Sequence, residues 1–128
     1  MRSPAASANI APVVHDLIIL GAGRAGISTA VEARQAGIGR DRILILEKGP
    51  AHSYANCKFY PEDKRVDAVY KGTIQRWELN VHYAEGAETI HNHEDRQLFD
   101  VSTGKASYQA KVVVDCLDCP MPAGPRLA

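Results

Sequence analysis

The chain has 128 residues, enough for one domain with one modest hydrophobic core, and its composition is that of a globular protein, 45% hydrophobic and 23% charged. Fifteen basic residues balance fifteen acidic ones, and no apolar run approaches the roughly 20 residues that span a bilayer, so nothing favours binding to nucleic acid or to a membrane. Three cysteines without a hydrophobic signal sequence favour a reducing compartment, and we expect a cytoplasmic protein.

The first half of the chain predicts a strand, a helix and a second strand. Residues 1–15 are rich in alanine, serine and proline, and we expect them to be a disordered lead-in. The apolar run Leu17–Leu20 then favours a strand that is buried on both faces of a parallel sheet. After a glycine-rich turn, the apolar spacing of Ala25–Ala36 predicts a helix that Gly37 ends, and Ile43–Leu46 predicts the second parallel strand.

The second half of the chain shows weaker patterns. Pro50–Gly72 has no clean period and predicts an ordered loop with about one helical turn, while Thr73–Leu79 predicts a short helix and Asn80–Tyr83 a strand. Three alternating segments predict an antiparallel meander: Glu88–His93, Gln97–Thr103 and Ser107–Asp115. Within this meander we expect Val112–Val114 to be the most buried segment. The predicted fold class is therefore α/β, a Rossmann-type βαβ unit with a small parallel sheet and an antiparallel β-meander.

The turn between the first strand and the helix has the G-x-G-x-x-G spacing of a dinucleotide-binding motif. Gly21 permits a tight exit from the strand, Gly23 lets a pyrophosphate approach the backbone, and Gly26 lets the helix pack closely on the sheet. The helix start supplies N–H groups and a partial positive charge. The spacing alone is weak, but the surrounding strand and helix are the context that supports the motif. Arg24 either contacts a phosphate or stays solvated.

Glu47 follows the second predicted strand, where such a unit carries the acid that binds a ribose. Its carboxylate can accept hydrogen bonds from ribose hydroxyls, and it would repel a 2′-phosphate, which argues against NADP at this site. The unit from Leu17 to Glu47 therefore predicts a site for the ADP half of a dinucleotide. A glycine turn in an α/β fold that binds no ligand is the simpler alternative.

These residues carry a resemblance to a family. His15–Gly26 resembles the opening of the two-dinucleotide-fold flavoproteins, in particular the thioredoxin-reductase-like pyridine nucleotide-disulfide oxidoreductases. Ile43–Gly49 is similar to the strand and acid that hold the adenosine ribose of FAD, and Phe59–Gly72 resembles a segment in one branch of that group. The resemblance covers Asp16–Val114 and implies an FAD domain, which in the family is interrupted by an NAD(P)H domain. Hydride there passes from the nicotinamide to the flavin, and often onward to a disulfide.

The resemblance implies FAD as the cofactor, with NAD as the alternative, and a dinucleotide-binding domain over residues 16–116. The glycines of the turn would contact the pyrophosphate, Glu47 the ribose, and the backbone near Ala87 the adenine. We expect no side chain to act as a catalytic acid or base, since the flavin supplies the chemistry. The expected cofactor-binding residues are Gly21, Ala22, Gly23, Arg24, Ala25, Gly26, Glu47, Lys48 and Ala87.

The chain also departs from the family pattern. The crossover helix of the family is longer than Thr73–Leu79, and Val112–Val114 runs into Asp115 and Cys116 where the family has a small-x-Gly signature. No second G-x-G-x-x-G follows, and residues 117–128 form a divergent tail. We therefore expect the FAD-binding portion of an NAD(P)H-dependent flavin oxidoreductase, incomplete as a catalyst on its own. The alternatives are a stand-alone NAD or adenine-nucleotide module, and a non-catalytic remnant or subunit whose partner chain carries the nicotinamide domain.

Two further groups of residues have spacings that could serve redox or metal chemistry. Cys116 and Cys119 form a C-x-x-C pair, which serves redox dithiols and zinc sites alike, but the prolines that follow oppose the helix a dithiol would need. His91 and His93 could supply two zinc ligands, although nothing else in the sequence sets the geometry. We expect incidental cysteines and no metal site, and Cys57 is interpreted as structural or incidental.

Overall fold

The computed structural model describes residues 13–50 and 64–116, with side chains described throughout except at residues 64–67. Several sequence predictions fall outside these ranges and stay predictions. They concern the lead-in at residues 1–12, the loop at residues 51–63, Cys57, Cys119 and the tail at residues 117–128.

A six-stranded sheet and two helices make up the described part of the chain. The sheet has the strand order β3-β2-β1-β6-β5-β4. In chain order the elements are β1 (Val14–Leu20), α1 (Arg24–Gln35), β2 (Ile43–Leu46), α2 (Lys64–Trp77), β3 (Val81–His82), β4 (Ala87–His93), β5 (Leu98–Thr103) and β6 (Ser107–Asp115), with a short 3₁₀ turn at Arg40–Arg42 before β2.

The parallel half of the sheet contains β3, β2, β1 and β6. Ile18 pairs with Leu44 on one side and with Val113 on the other, and Ile45 pairs with Val81. This strand order, with the last strand beside the first, is that of one half of a Rossmann fold. The predicted βαβ unit is confirmed, although β1 begins at Val14, so that residues 14 and 15 lie in the sheet rather than in the lead-in.

The antiparallel half contains β4, β5 and β6, and each strand lies within one residue of its predicted bounds. Tyr108, near the start of β6, pairs with Val101 of β5, whereas Gln109 already pairs with Val14 of β1. The nine-residue strand β6 therefore belongs to the meander at its start and to the parallel sheet at its end. This shared strand connects the two halves of the protein.

The core forms two apolar clusters, one on each side of β1 and β2. Because both faces of these strands are covered, they consist of unbroken apolar runs instead of an alternating pattern. The helical side contains, among its buried members, Ile19, Ile27, Ala30, Ile43 and Ile45. The meander side contains Ile18, Leu20, Leu44, Leu46, Val101 and Ala110.

The expectation that Val112–Val114 is the most buried segment of the meander is wrong. Val112 is 49% exposed, whereas Ala110 on the same strand is fully buried. Helix α1 packs on β1 and β2. Among the described residues no helix covers Val112, so a run of valines alone did not predict burial on this strand.

Helix α2 corrects the prediction for the middle of the chain. It begins at Lys64 and ends at Trp77, so the loop expected up to Gly72 and the short helix expected from Thr73 are wrong. Tyr70 is buried, and Ile74 and Trp77 pack against the helical-side cluster. The apolar spacing of Tyr70, Ile74 and Trp77 was not recognised as helical because the helix begins with charged residues. It also contains an interior glycine, which costs about 1 kcal/mol relative to alanine. With 14 residues, the crossover helix is twice as long as the sequence suggested.

Helix α1 agrees with its prediction to within one residue at each end. Gly37 has a φ of 99°, and its N–H donates to the carbonyl of Arg34 at 3.0 Å, which ends the helix as expected. Neither described helix has the length and apolar character that crossing a membrane requires.

Candidate functional site

The glycine turn is held against the carboxyl end of β2. Gly21 has a φ of 109°, a backbone conformation that residues with a side chain rarely adopt. Its N–H donates to the carbonyl of Leu46 at 2.8 Å. The first residue of the motif therefore closes the turn onto the strand that carries Glu47.

The third glycine is required by packing. A Cβ atom at Gly26 would lie 1.9 Å from the carbonyl oxygen of Gly21 and 3.3 Å from Cγ2 of Ile19. The first contact is with backbone and cannot be relieved by a rotamer change, so any side chain here would push α1 away from the turn. The absence of a side chain lets the helix start lie directly over the end of β1.

The start of α1 presents backbone N–H groups beside the glycine turn. Gly23 is the N-cap residue and makes no side-chain capping bond, and the first turn contains no acidic residue. The first bond of the helix runs from the N–H of Ile27 to the carbonyl of Gly23 at 3.0 Å. The N–H groups of Ala25 and Gly26 precede that bond, and the helix offers them no carbonyl four residues earlier. With the helix dipole and the exposed Arg24 beside them, they favour an anion such as a phosphate.

Glu47 is a buried carboxylate, 2% exposed, at the end of β2. Its Oε1 accepts the N–H of Ala22 at 2.8 Å, and its Oε2 accepts the N–H of Gly49 at 2.8 Å. It forms no ion pair with a cation among the described residues. An ionised carboxylate has about four acceptor positions, so each oxygen can accept one further hydrogen bond. Two adjacent hydroxyl donors, as in a ribose diol, match that capacity.

The bond from Ala22 to Glu47 joins the glycine turn and the acid into one site. The sequence predicted both parts by their positions along the chain, and the structure brings them into contact. Within the motif, Ala22 and Gly23 are buried, whereas Arg24 and Ala25 are exposed at the helix start.

The segment that opens β4 lies beside the acid as well. Gly86 packs so closely on Lys48 that a Cβ atom would lie 2.7 Å from the Cβ of that lysine. Ala87 follows directly and is half-buried. The structure thus brings Lys48 and the Ala87 segment together, and it adds Gly86, which the sequence analysis missed although a glycine just before a strand is a usable signal.

The main chain of Glu47 is fixed by the turn that follows β3. Its N–H donates to the carbonyl of His82 at 2.9 Å, and its carbonyl accepts the N–H of Glu85 at 2.9 Å. The N–H of Ala84 donates to the carbonyl of Gly49 at 2.7 Å. Ala84 adopts a φ of 54°, a left-handed conformation that costs a residue with a Cβ roughly 1–2 kcal/mol. Such a conformation persists only where its surroundings enforce it.

Glu85, in the same turn, carries a second buried carboxylate, which is 6% exposed and links the turn to neighbouring strands. Its Oε2 accepts the hydroxyls of Thr103 and Tyr108, each at 2.7 Å, and its Oε1 lies 3.1 Å from Nδ1 of His82. Burial opposes ionisation of Glu85, but the hydrogen bonds from Tyr108, Thr103 and His82 outweigh it, so the pKa lies below its usual value. Burial together with the bond to Glu85 raises the pKa of Tyr108 to about 12.

Cys116 lies where β6 ends, beside the start of the glycine turn. Its N–H donates to the carbonyl of Leu20 at 2.9 Å, and its Sγ lies 3.7 Å from Oγ1 of Thr29. Burial raises the pKa of the Cys116 thiol, and the charge of Asp115 adds to that effect. A raised pKa disfavours the thiolate that dithiol redox chemistry needs.

The two histidines of β4 contact each other but do not assemble a larger ligand set. The rings of His91 and His93 lie 4.3 Å apart, and Nε2 of His93 lies 2.5 Å from Oδ2 of Asp100. The described residues contain no group of three side chains arranged to hold a metal ion. Because Cys119 lies outside them, the zinc alternative remains a sequence hypothesis.

Comparison with known proteins identifies solved structures that share this fold. No protein-family model matches the chain, and no curated protein matches it. Among solved structures, bacillithiol disulfide reductase from Staphylococcus aureus is 24% identical with a TM-score of 0.61, over 82% of this chain and 38% of the reductase. The same enzyme from Bacillus cereus is 22% identical with a TM-score of 0.67, over 80% of this chain and 39% of the enzyme.

A third solved structure, thioredoxin reductase from Streptococcus pyogenes, is 23% identical with a TM-score of 0.63, over 82% of this chain and 35% of that protein. The chain therefore shares the Rossmann-like fold of these reductases and spans less than two fifths of their length. The α/β fold class predicted from the sequence is confirmed.

Proposed function

We propose that this chain is the FAD-binding portion of an NAD(P)H-dependent flavin oxidoreductase. The ADP half of the cofactor would lie between the glycine turn and Glu47. The observation that carries the proposal is the buried carboxylate of Glu47, bound by the N–H of Ala22 at 2.8 Å and lying beside a helix start that has no side-chain cap. A carboxylate suits the ribose diol, and the N–H groups at the helix start suit the pyrophosphate.

The residues present fit such a cofactor. Gly26 keeps α1 close to the turn, Gly21 adopts a conformation reserved for glycine, and Glu47 has acceptor capacity for two hydroxyls. A bound flavin supplies hydride chemistry, and the residues of this chain bind and orient it. The FAD assignment is supported by the sequence resemblance, and the class of oxidoreductase by the names of the reductases that share the fold.

Catalysis by this chain would need a further nucleotide-binding unit. Hydride transfer requires the nicotinamide to be held against the flavin in near-reactive geometry. The sequence contains one G-x-G-x-x-G motif, so we propose that a nicotinamide-binding unit lies elsewhere, for example on a partner chain.

An NAD or adenine-nucleotide module is the second candidate, because the geometry of Glu47 suits any ligand with an ADP half. The visible absorbance of bound flavin in the purified protein distinguishes the two.

Calorimetric titration with ADP, FAD, NAD and NADP tests the site. We expect ADP and FAD to bind, and NAD to bind more tightly than NADP because Glu47 repels a 2′-phosphate. Gly23→Val places a branched side chain where the pyrophosphate must approach, so it should reduce affinity for ADP at least tenfold, the loss expected when charged hydrogen bonds are removed.

Gly39→Val is the matched control for this variant. Gly39 is exposed, has a φ of −65° that valine tolerates, and precedes the opposite, amino-terminal end of β2. It should bind ADP like the wild type. Tighter binding of NADP than of NAD would refute the role of Glu47, and unchanged ADP affinity in a Gly23→Val protein with a normal circular dichroism spectrum would refute the site.

A further inference from the structure

We propose that Glu85 is a positioning residue, which holds Glu47 in the geometry that recognises ribose hydroxyls. Recognition at the nucleotide site would then depend on the hydrogen bonds that Glu85 accepts from Thr103 and Tyr108 of the β-meander. This inference rests on the proposed function of the site, because it concerns how that site reads a ribose.

The first step of the argument is the main chain of Glu47. Both of its polar main-chain groups are bound at the end of β3 and in the turn that follows, by the carbonyl of His82 and the N–H of Glu85, each at 2.9 Å. The N–H of Ala84 binds the carbonyl of Gly49, the residue whose N–H holds Oε2 of Glu47. A displacement of this turn would therefore move the backbone of Glu47 and one of its two carboxylate donors.

The second step is what holds the turn. Ala84 has a φ of 54°, so the turn does not adopt its shape from local preference. The side chain of Glu85 ties it to Thr103 at the end of β5 and to Tyr108 near the start of β6, each through a 2.7 Å bond. The contact between Gly86 and Lys48 leaves no room for the turn to approach further. Glu85 is thus the connection between the meander and the backbone of Glu47.

The third step concerns the need for a carboxylate. Glu85 meets three potential donors, the hydroxyls of Thr103 and Tyr108 and, when His82 carries a proton on Nδ1, the ring of that histidine. A carboxylate only accepts hydrogen bonds and can satisfy all three, whereas an amide replaces one acceptor oxygen by a donor. Glu85→Gln therefore keeps the shape of the side chain but places an N–H donor opposite one of these three donors, so that one hydrogen bond is lost.

The test compares the affinities of ADP and 2′-deoxy-ADP in each protein. The ratio of the two dissociation constants reports the ribose hydroxyl alone, and a merely structural defect would weaken both ligands equally. We expect the wild type to prefer ADP by about tenfold, the value of a hydrogen bond to a charged group. Glu47→Gln should reduce the ratio towards one, and Glu85→Gln should reduce it to about threefold or less. Glu88→Gln, at an exposed glutamate on β4, should leave it unchanged.

The outcomes separate this inference from the proposed function. If the wild type prefers ADP and Glu85→Gln keeps the same ratio, the inference is overturned while the proposed function stands. If the wild type binds no ADP, both are overturned. Tyr108→Phe removes one donor and leaves the carboxylate in place, so it provides a second, milder variant. It should lower the ratio less than Glu85→Gln does, and an unchanged ratio in that folded protein would also overturn the inference.

Discussion

Two buried carboxylates, Glu47 at the end of β2 and Glu85 in the turn after β3, differ in what surrounds them. Glu47 is 2% exposed and is held by the N–H groups of Ala22 and Gly49. Glu85 is 6% exposed and is held by the side chains of Thr103, Tyr108 and His82. Burial alone therefore does not distinguish the acid that we propose to bind a ribose from an acid that is bound within the protein.

The donors make the distinction. Backbone N–H groups hold Glu47 at one bond per oxygen and leave each oxygen able to accept another. Glu85 has two hydroxyl donors on one oxygen and a histidine beside the other, so its capacity is nearly used within the protein. We infer that an acid held by the backbone of a glycine turn can serve a ligand, while an acid held by side chains from three elements connects those elements.

The largest expected effect comes from a variant that disrupts the glycine turn beside Glu47 and leaves the surroundings of Glu85 unchanged. In Gly26→Ala the new Cβ would meet the carbonyl oxygen of Gly21 at 1.9 Å, so α1 must move away from the turn. We expect a loss of about 3 kcal/mol in the free energy of unfolding, the upper end of typical overpacking costs, and loss of measurable ADP binding. Chemical denaturation and calorimetry measure the two effects.

A second helical glycine provides the control. Nothing lies within 4 Å of a Cβ atom built at Gly72, so Gly72→Ala should stabilise the protein by about 1 kcal/mol through helix propensity. Equal stability changes in the two variants would show that Gly26 is not required for the packing of α1 on the sheet.

The sequence predicted the region around Glu47 better than the region around Glu85. Four local patterns with a known physical purpose occur there: the apolar runs Leu17–Leu20 and Ile43–Leu46, the glycine turn, and Glu47. The structure forms the two strands and the turn as predicted. The contact between Ala22 and Glu47 follows because β1 and β2 are neighbours and both end at the same edge of the sheet.

The anchor at Glu85 depends on contacts that no local pattern contains. Its hydroxyl partners lie 18 and 23 residues further along the chain, and a glutamate between a tyrosine-alanine pair and a glycine is typical of a solvated turn. Helix α2 was missed for another reason, since its charged first turn and Gly72 weakened a pattern that only the packing of Ile74 and Trp77 makes clear. Val112 was expected to be buried because neighbouring valines suggest a covered strand.

A smaller effect concerns the stability that Glu85 contributes at different pH values. Its pKa is lowered in the folded protein, so this contribution is complete above the pKa of the unfolded chain and is lost as pH falls through the folded value. Glu85→Gln should therefore be less stable than the wild type by about 1–2 kcal/mol at neutral pH, and the difference should shrink in acid.

Denaturation curves at a series of pH values measure this difference. Asp16 and Asp100 also have lowered pKa values, but they are present in both proteins and cancel. A stability difference that stays constant from neutral pH into acid would mean that Glu85 contributes nothing through its charge, and the contrast with Glu47 would then rest on geometry alone.

The smallest expected effect appears at alkaline pH and tests whether Tyr108 and Glu85 form one unit. Burial and the bond to Glu85 raise the pKa of Tyr108 to about 12, so the neutral phenol stabilises the fold below the unfolded pKa of tyrosine, and this contribution is lost as pH rises towards 12. Tyr108→Phe should cost about 1 kcal/mol at neutral pH. It should also remove a phase near pH 12 from an ultraviolet titration of the tyrosines. Glu85→Gln should move that phase to lower pH, because the negative charge beside the phenol is gone, whereas Glu47→Gln should leave it in place. If Glu47→Gln shifted the phase as much as Glu85→Gln, the two carboxylates would share one electrostatic environment, and the separation of a binding acid from an anchoring acid would fail.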